Sequence, residues 1–228
     1  MKKFRDVRLE VCFHSDGHNL GNLSEENENI KKFQKFLGFS HPNIAKIHDI
    51  FQISTDTTIL ISEFFDSFDS ANCKRAIQPP LQEREAKNII KDILNGLSYL
   101  HEKNIINGNV KLQNIFIKNG RTKLVDYCYF HEIFENKESF SFEDYTYFAP
   151  EFFYLSKEKI QDSLDSWNVG VLFYEMVYNE KPDTENLLFS NRITVSEGFK
   201  EFITRCLEKN PQKRWSVKQA GESFYLTK

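Results

Sequence analysis

Apolar and polar residues follow regular patterns in the first part of the chain. Residues 7–13 fit a strand, and two further strand-like runs cover residues 44–53 and 58–64. Between the first and second runs, residues 24–36 carry apolar side chains at helical spacing, and Ser24 is placed to cap that helix. The pattern therefore predicts a small sheet accompanied by one helix.

The rest of the chain has mainly helical periodicity. Apolar residues recur every three or four positions from Ala86 to Leu100, which predicts a long amphipathic helix. Residues 165–178 are apolar almost all round and predict a buried helix, and residues 199–207 predict another amphipathic helix. Because strands come first and helices follow, the order predicts an α+β fold with two unequal lobes.

A short β-hairpin is predicted between the long helix and the buried one. Residues 114–118 and 122–125 are strand-like, and Asn119-Gly120 stands between them. Asn-Gly is the strongest short-range hairpin signal, because the favoured two-residue turn needs positive φ at both central positions.

Composition and charge narrow the classes of function. The chain has 30 Lys plus Arg and 33 Asp plus Glu, a formal net charge of −3, whereas a general nucleic-acid binder normally has a basic excess. The longest apolar run, residues 169–174, is far too short to span a bilayer, and no apolar stretch of signal-peptide length follows the N-terminal lysines. We therefore expect neither nucleic acid nor a membrane as a partner.

The cysteines predict reduced thiols. They stand far apart and form no C-x-x-C pair, so they suggest neither a zinc site nor a disulfide framework. Reduced thiols are typical of intracellular proteins, and we expect a cytoplasmic location. The four residues are Cys12, Cys73, Cys128 and Cys206.

Several short sequence motifs occur one after another between His41 and Arg214. They are His41-Pro42-Asn43-Ile44, Ser62-Glu63-Phe64-Phe65, residues 105–114, Asp126-Tyr127-Cys128, Ala149-Pro150-Glu151, residues 165–170, Arg205-Cys206-Leu207 and residues 211–214. In that order, with the last two segments taken together, they resemble the H-P-N-I, hinge, H-R-D-L-x-x-x-N, D-F-G, A-P-E, D-x-W-S-x-G and C-L-x-x-x-P-x-x-R landmarks of protein kinases. The chain is identified as a degenerate, serine/threonine-kinase-like member of the eukaryotic protein kinase superfamily.

The resemblance implies a bilobal protein-kinase-like fold within one domain. Residues 1–65 would form a truncated small β lobe, and residues 66–228 a mainly helical large lobe. Ser62 matches a small gatekeeper residue beside the nucleotide. The adenine pocket of the family corresponds here to Ser62, Glu63, Phe65 and Phe116.

The metal and phosphate positions of the family are retained. Asn114 and Asp126 match its two magnesium ligands, and both supply the oxygen atoms that a hard cation requires. Lys111 matches the lysine that contacts the transferred phosphate in serine/threonine kinases. A structural explanation stays open, because Asn114 also begins a strand and Asp126 ends a hairpin.

The position of the catalytic base is altered. Where the family has the Asp of H-R-D, this chain has Asn109, and an amide accepts a hydrogen bond but cannot take up a proton at neutral pH. Asn107 and Gly108 replace the preceding His and Arg. The run Asn-Gly-Asn-Val is similar to the H-G-N-V of Janus-type pseudokinase domains.

The elements that hold the phosphates of a nucleotide are altered as well. No G-x-G-x-x-G occurs in the first 40 residues. If the first strand matches the family strand that carries the ATP-binding Lys, Glu10 stands near the position of that Lys. Counting back from the H-P-N-I segment places Lys31 or Lys32 where the regulatory helix has its Glu. We therefore expect no cofactor, with ATP and Mg²⁺ as weak ligands at most.

Three positions with an architectural role in the family are retained. Glu151 and Arg214 match a buried ion pair that ties the A-P-E segment to a late helix. Asp165 matches the helix residue that holds the backbone of the catalytic loop. The segment between residues 182 and 199 is shorter than in most family members, which predicts a reduced peripheral helix.

Together these features favour a catalytically inactive pseudokinase that binds another protein, with a true kinase as a candidate partner. Three alternatives stay open. The chain could be a weakly active or vestigial serine/threonine kinase, a nucleotide sensor without turnover, or a decayed gene product without a specific partner.

Overall fold

The computed structural model describes most of the chain. The described residues are 7–13, 31, 33–54, 57–63, 77, 79–128, 134, 145–154, 156 and 161–227, and every structural statement below concerns them. Phe65, Lys32, the predicted helical residues 24–30 and the lobe boundary at 65/66 lie outside these residues. No helix among them is both long and apolar enough to cross a membrane.

The first described part is an antiparallel sheet of three strands. Strand β1 is Val7–Phe13, β2 is Ile47–Ser54 and β3 is Thr57–Glu63, in the spatial order β1-β3-β2. Val7 lies opposite Glu63 in the β1–β3 register, and irregular steps at both ends of β2 adjust its pairing with β3. Residues 44–46 were predicted as part of the second strand, but β2 begins only at Ile47.

Residues 44–46 are extended for a different reason. Ile44 forms an isolated parallel bridge with Leu124, and the N–H of Ala45 donates to the carbonyl of Leu124 at 2.9 Å. The N–H of Leu124 in turn donates to the carbonyl of Asn43 at 2.9 Å. This segment therefore joins the small sheet to the hairpin that follows.

That hairpin consists of β4, Ile115–Lys118, and β5, Arg121–Leu124. Asn119 and Gly120 connect the strands with φ angles of 53° and 73°. Positive φ at both central residues is what the favoured two-residue turn requires. The prediction made from Asn-Gly is therefore confirmed.

The helical part is built around two long helices. Helix α1 is Glu83–His101 and helix α2 is Ser163–Tyr178, and the two pack against each other. Every residue of α2 except Glu175 is buried, as the apolar pattern predicted. The core-facing side of α1 consists of Ala86, Ile89, Ile90, Ile93, Leu94, Leu97 and Leu100.

Three shorter α-helices follow α2. Helix α3 is Glu197–Cys206, α4 is Val217–Gly221 and α5 is Phe224–Thr227. The hydroxyl of Ser196 caps α3, and α4 begins with a capping box in which Ser216 and Gln219 bind each other's backbone. Strands first and helices afterwards confirm the α+β prediction.

Gly170 of α2 allows the close approach of α3. A Cβ atom built on Gly170 would lie 2.9 Å from Cβ of Cys206 and 2.9 Å from Cδ2 of Leu207. Real Cβ atoms do not tolerate such distances, so any side chain at this position forces the two helices apart.

We expect Gly170→Ala to lower the free energy of unfolding. Alanine gains about 0.5–1 kcal/mol in helix propensity, but overpacking a core costs about 1–3 kcal/mol, so the net change is destabilising. Urea denaturation measures it. Gly221→Ala is the control, because a Cβ at Gly221 meets no atom within 4 Å. Equal or higher stability of Gly170→Ala would contradict this packing argument.

Candidate functional site

The loop that resembles the kinase catalytic loop is held by one buried carboxylate. Asp165, in the first turn of α2, is fully buried. Its Oδ2 accepts the N–H of Asn107 at 2.9 Å, and its Oδ1 accepts the N–H of Gly108 at 2.6 Å. Gly108 has φ 64°, a conformation that favours glycine. The structure therefore brings the predicted anchor residue into contact with the loop.

A third group on this carboxylate was not foreseen from the sequence. Nε2 of His101, the last residue of α1, lies 2.6 Å from Oδ2 of Asp165. Burial disfavours the charged imidazole, but the hydrogen bond and charge of Asp165 outweigh it and raise the pKa of His101. The sequence gave only a weak hint of this contact: His101 directly follows Leu100, the last apolar residue on the core-facing side of α1.

Three asparagines shape the loop around position 109. Oδ1 of Asn107 accepts the N–H of Asn109 at 2.9 Å, and Nδ2 of Asn114 donates to the carbonyl of Asn109 at 2.9 Å. Asn109 is thus held through its backbone on both sides. Within the described residues its side chain forms no hydrogen bond, and it presents an amide where the family has a carboxylate.

The two predicted metal ligands are tied to each other through the backbone. The N–H of Val125 donates to the carbonyl of Asn114 at 3.0 Å, and Asp126 is the next residue along the chain. Asp126 has φ 55°, in the left-handed region. With Nδ2 of Asn114 already bonded to the loop, its Oδ1 is left as an oxygen donor. This donor set fits a Mg²⁺ ion, and the described residues contain no cluster of three or more His, Cys, Asp or Glu side chains that could hold a metal ion.

Tyr127 fixes the segment after Asp126 against the core. Its ring packs edge-on against Phe36 and stacks with Phe39, at centroid distances of 5.8 and 6.4 Å. Its hydroxyl donates to the carbonyl of Ala45 at 2.9 Å. Burial raises the pKa of this phenol far above its usual value. The side chain is therefore a neutral, satisfied core residue.

Ser62 borders a narrow cavity at the junction of the sheet and the hairpin. The volume of this cavity is about 10 Å³, enough for about one water molecule. Phe116 packs in a small buried cluster with Ala45 and Val125, two residues that also line the cavity. The cavity is lined by Ala45, Ile47, Leu60, Ser62, Val125, Asp126, Tyr127 and Cys128.

Glu63 is engaged with lysines of the hairpin. Its Oε2 lies 2.9 Å from Nζ of Lys123 and its Oε1 lies 3.2 Å from Nζ of Lys118. Burial alone would raise the pKa of Glu63, but the hydrogen bond and charge of Lys123 outweigh it and lower that pKa. The carboxylate thus ties the end of β3 to β4 and β5.

Glu151 and Arg214 form a bidentate ion pair. Oε1 lies 2.5 Å from Nη1 and Oε2 lies 2.9 Å from Nη2, and both side chains are almost fully buried. Nε of Arg214 also donates to the carbonyl of Glu208 at 2.8 Å. Nη1 and Nη2 donate further to the carbonyls of Ser163 and Lys209 at 3.3 and 3.4 Å, so the guanidinium is hydrogen-bonded on all three nitrogens, as a buried pair requires.

The structure also gives the locations of three further predicted residues, Lys111, Glu10 and Lys31. Lys111 is half-buried and precedes the 3₁₀ turn Leu112–Asn114, whose last N–H donates to the carbonyl of Lys111. Glu10 lies opposite Leu60 in the β1–β3 register. Lys31 is exposed.

Comparison with known proteins assigns the family. Residues 16–226 match the family model described as protein kinase domain. The chain belongs to the protein kinase family. Its order of strands, hairpin and helices, and the anchored loop, agree with that assignment.

Named relatives of this kinase domain are serine/threonine kinases. It is 30% identical over 98% of its length to serine/threonine-protein kinase tousled-like 1-B of Danio rerio, covering 34% of that protein. It is 31% identical over 82% of its length to death-associated protein kinase 2 of Mus musculus, covering 55% of that protein. The chain therefore spans about a third to just over half of these relatives.

The stability of this kinase domain should depend on pH through His101. Because its pKa is raised on folding, protonated His101 stabilises the fold fully below its usual pKa near 6.5. That stabilisation is lost as pH rises through the folded-state value. Urea denaturation between about pH 5.5 and 8.5 measures the slope.

We expect His101→Gln to flatten this slope, because the group that takes up the proton is gone. The matched control is His48→Gln, which alters an exposed histidine on β2 and should leave the slope unchanged. If His101→Gln and the unaltered domain show the same pH dependence, the coupling between His101 and Asp165 is refuted.

Proposed function

We propose that this kinase domain acts as a pseudokinase: it binds another protein and does not transfer phosphate at an ordinary kinase rate. The observation that supports this most directly is Asn109 at the position of the catalytic base, in a loop that is otherwise well anchored. A catalytically active protein kinase is the candidate partner.

With Asn in place of Asp at position 109, the loop lacks a proton acceptor but keeps its structural support. Asp165 and Asn114 hold the loop through hydrogen bonds to and from its backbone. The backbone at Asn109 is therefore positioned as it would be for a catalytic base, and only the side chain differs. A positioned general base contributes typically ~10²–10⁴ to the rate of a reaction. An amide cannot supply that contribution at neutral pH.

The position that the resemblance assigns to the ATP-binding Lys is acidic in this chain. Glu10 lies in β1 opposite Leu60, at the position that the resemblance assigns to the ATP-binding Lys. An acidic residue there disfavours a triphosphate. The altered base and the altered Lys position therefore act in the same direction.

Exposed aromatic residues on both sides of the A-P-E segment favour a protein partner. Tyr145 and Phe153 stack with ring centroids 5.4 Å apart and stay 42% and 43% exposed, and Tyr154 is 67% exposed. Exposed clusters of this kind mark interaction sites, and tyrosine is enriched among residues that dominate binding energy. We call Tyr145, Phe153 and Tyr154 the aromatic patch.

Weak serine/threonine kinase activity is the second candidate. It is supported by Lys111, Asn114 and Asp126 and by the named activity of the relatives. A nucleotide sensor without turnover is distinguished from both by a thermal shift with ATP and Mg²⁺, since ligand at about 100 times its Kd adds ~2.7 kcal/mol of stability.

We expect the purified domain to transfer γ-phosphate to a mixed serine/threonine peptide substrate no faster than its Asp126→Ala variant. Adding the missing groups in Glu10→Lys combined with Asn109→Asp should raise the rate by up to ~10²–10⁴. The matched control, Glu10→Lys with Asn109→Gln, restores the cation without the base and should stay at background. Turnover of the unaltered domain at the ~1–100 s⁻¹ of ordinary kinases would overturn the proposal.

Partner binding is tested with the aromatic patch. We expect a kinase captured by the domain to form a stoichiometric complex after both are purified, measured by light scattering. Tyr154→Ala should weaken this complex by roughly tenfold or more, because truncating an aromatic residue that dominates binding costs ~2 kcal/mol or more. Tyr154→Phe keeps the ring and is the control. Absence of any purified complex contradicts the partner assignment, independently of the activity assay.

A further inference from the structure

Strand β1 forms one edge of the small sheet. In the order β1-β3-β2, the only described strand that pairs with β1 is β3, on one side. The other side of β1 therefore presents backbone N–H and C=O groups that no described strand uses. Groups of this kind along the edge of a sheet are a template for pairing with a further strand.

The two edges of the sheet differ in how they are protected. Strand β2, the opposite edge, has irregular steps near both of its ends, and such bulges are one means by which proteins prevent edge-to-edge pairing. Strand β1 pairs with β3 in unbroken register over all its residues, 7–13. It also contains neither Pro nor Lys, the residues that commonly block an edge. Of the two edges, β1 is therefore the one suited to accept a further strand.

One face of this sheet is apolar and accessible to solvent. Alternate residues of β3 are buried against the core, so Ile59 and Ile61 lie on the opposite face, where they are half-buried. Phe51 of β2 stands opposite Ile59 and is 48% exposed. In β1, the residues opposite Ile59 and Ile61 are Val11 and Leu9. A strand added at β1 would extend this face and remove part of its apolar surface from water.

The sequence of β1 is complementary to a second copy of itself. Arg8 and Glu10 stand on either side of Leu9. If two copies of β1 pair antiparallel about a two-fold axis at Leu9, Arg8 of each copy stands opposite Glu10 of the other, and Val7 stands opposite Val11. Opposite charges at directly opposed positions stabilise a strand pair, and like charges destabilise it. An axis one residue later, at Glu10, would oppose two carboxylates, so the charges select the register centred on Leu9.

We propose that this kinase domain forms a homodimer in which two β1 strands pair antiparallel about Leu9 and join the two small sheets into one. The same edge serves both copies, so the two-fold contact closes the assembly at a dimer. Edge pairing buries less surface than a standard protein–protein interface, and we therefore expect a dissociation constant of about 1–100 µM. Nothing in this proposal depends on the pseudokinase assignment.

Charge reversal tests the register, with sedimentation velocity at about 1–200 µM as the measurement. Arg8→Glu and Glu10→Arg each place like charges in both cross-strand pairs, so either variant alone should dimerise at least roughly tenfold more weakly. An equimolar mixture of the two should associate as the unaltered domain does, because one copy then supplies two acidic residues and the other two basic ones. The double variant should dimerise for the same reason. Arg121→Glu, the same change at an exposed residue of β5, is the control and should have no effect.

Cross-linking tests the position of the axis and does not depend on the charge variants being folded. In a Cys12→Ser background, Leu9→Cys should form a disulfide-linked dimer on mild oxidation, because directly opposed residues of antiparallel strands have Cα atoms about 4.5–5.5 Å apart. Val11→Cys is the control and should not cross-link, since its expected partner is Val7.

Three results would overturn the proposal. The first is an unaltered domain that stays monomeric at all these concentrations, which would leave the edge to a strand of another protein. The second is folded Arg8→Glu, checked by circular dichroism, that dimerises as well as the unaltered domain, which would place the contact on another surface. The third is Val11→Cys that cross-links as readily as Leu9→Cys.

Discussion

The buried carboxylate of Asp165 is the interaction on which the loop, α1 and α2 jointly depend. A charge removed from water is tolerated only when it is fully hydrogen-bonded. Asp165 meets this condition with two backbone N–H groups and the ring of His101. Since these partners come from the loop and from the end of α1, satisfying one charge fixes three elements relative to each other.

Because of this arrangement, the backbone conformation of the loop does not depend on the side chains that would carry out catalysis. The carboxylate binds the backbone of Asn107 and Gly108, so it does not require the His and Arg side chains that the family has there. Position 109 is likewise held through its own backbone, by hydrogen bonds with the side chains of Asn107 and Asn114. A change from carboxylate to amide at that position therefore removes a proton acceptor without removing a structural support.

The sequence predicted those features that rest on local patterns. The hairpin followed from Asn119-Gly120, and α1 and α2 followed from apolar spacing, because turn conformation and helical periodicity are properties of neighbouring residues. Long-range polar contacts left no such pattern. The pairing of Ile44 with Leu124 was therefore mistaken for the start of β2.

Ion pairs across long stretches of sequence were equally invisible without a family resemblance. The engagement of Glu63 with Lys123 joins residues 60 positions apart, and nothing local signals it. The contact of His101 with Asp165 spans 64 positions. By contrast, Glu151 and Arg214 could be paired in advance, because a resemblance supplies contacts that periodicity does not.

Asn114 and Asp126 differ in how strongly they support a bound metal ion. Nδ2 of Asn114 donates to the loop carbonyl, so the fold accounts for an asparagine at this position, and its Oδ1 is the atom that would serve a Mg²⁺ ion. Asp126 adopts a left-handed conformation, which Asp and Asn visit more readily than other L-residues because their short polar side chains hydrogen-bond locally. The other non-glycine residues with positive φ in the described structure are all asparagines. The conformation therefore explains a short polar residue at position 126 without requiring a carboxylate, and the presence of Asp rather than Asn there is what supports the proposed Mg²⁺ site.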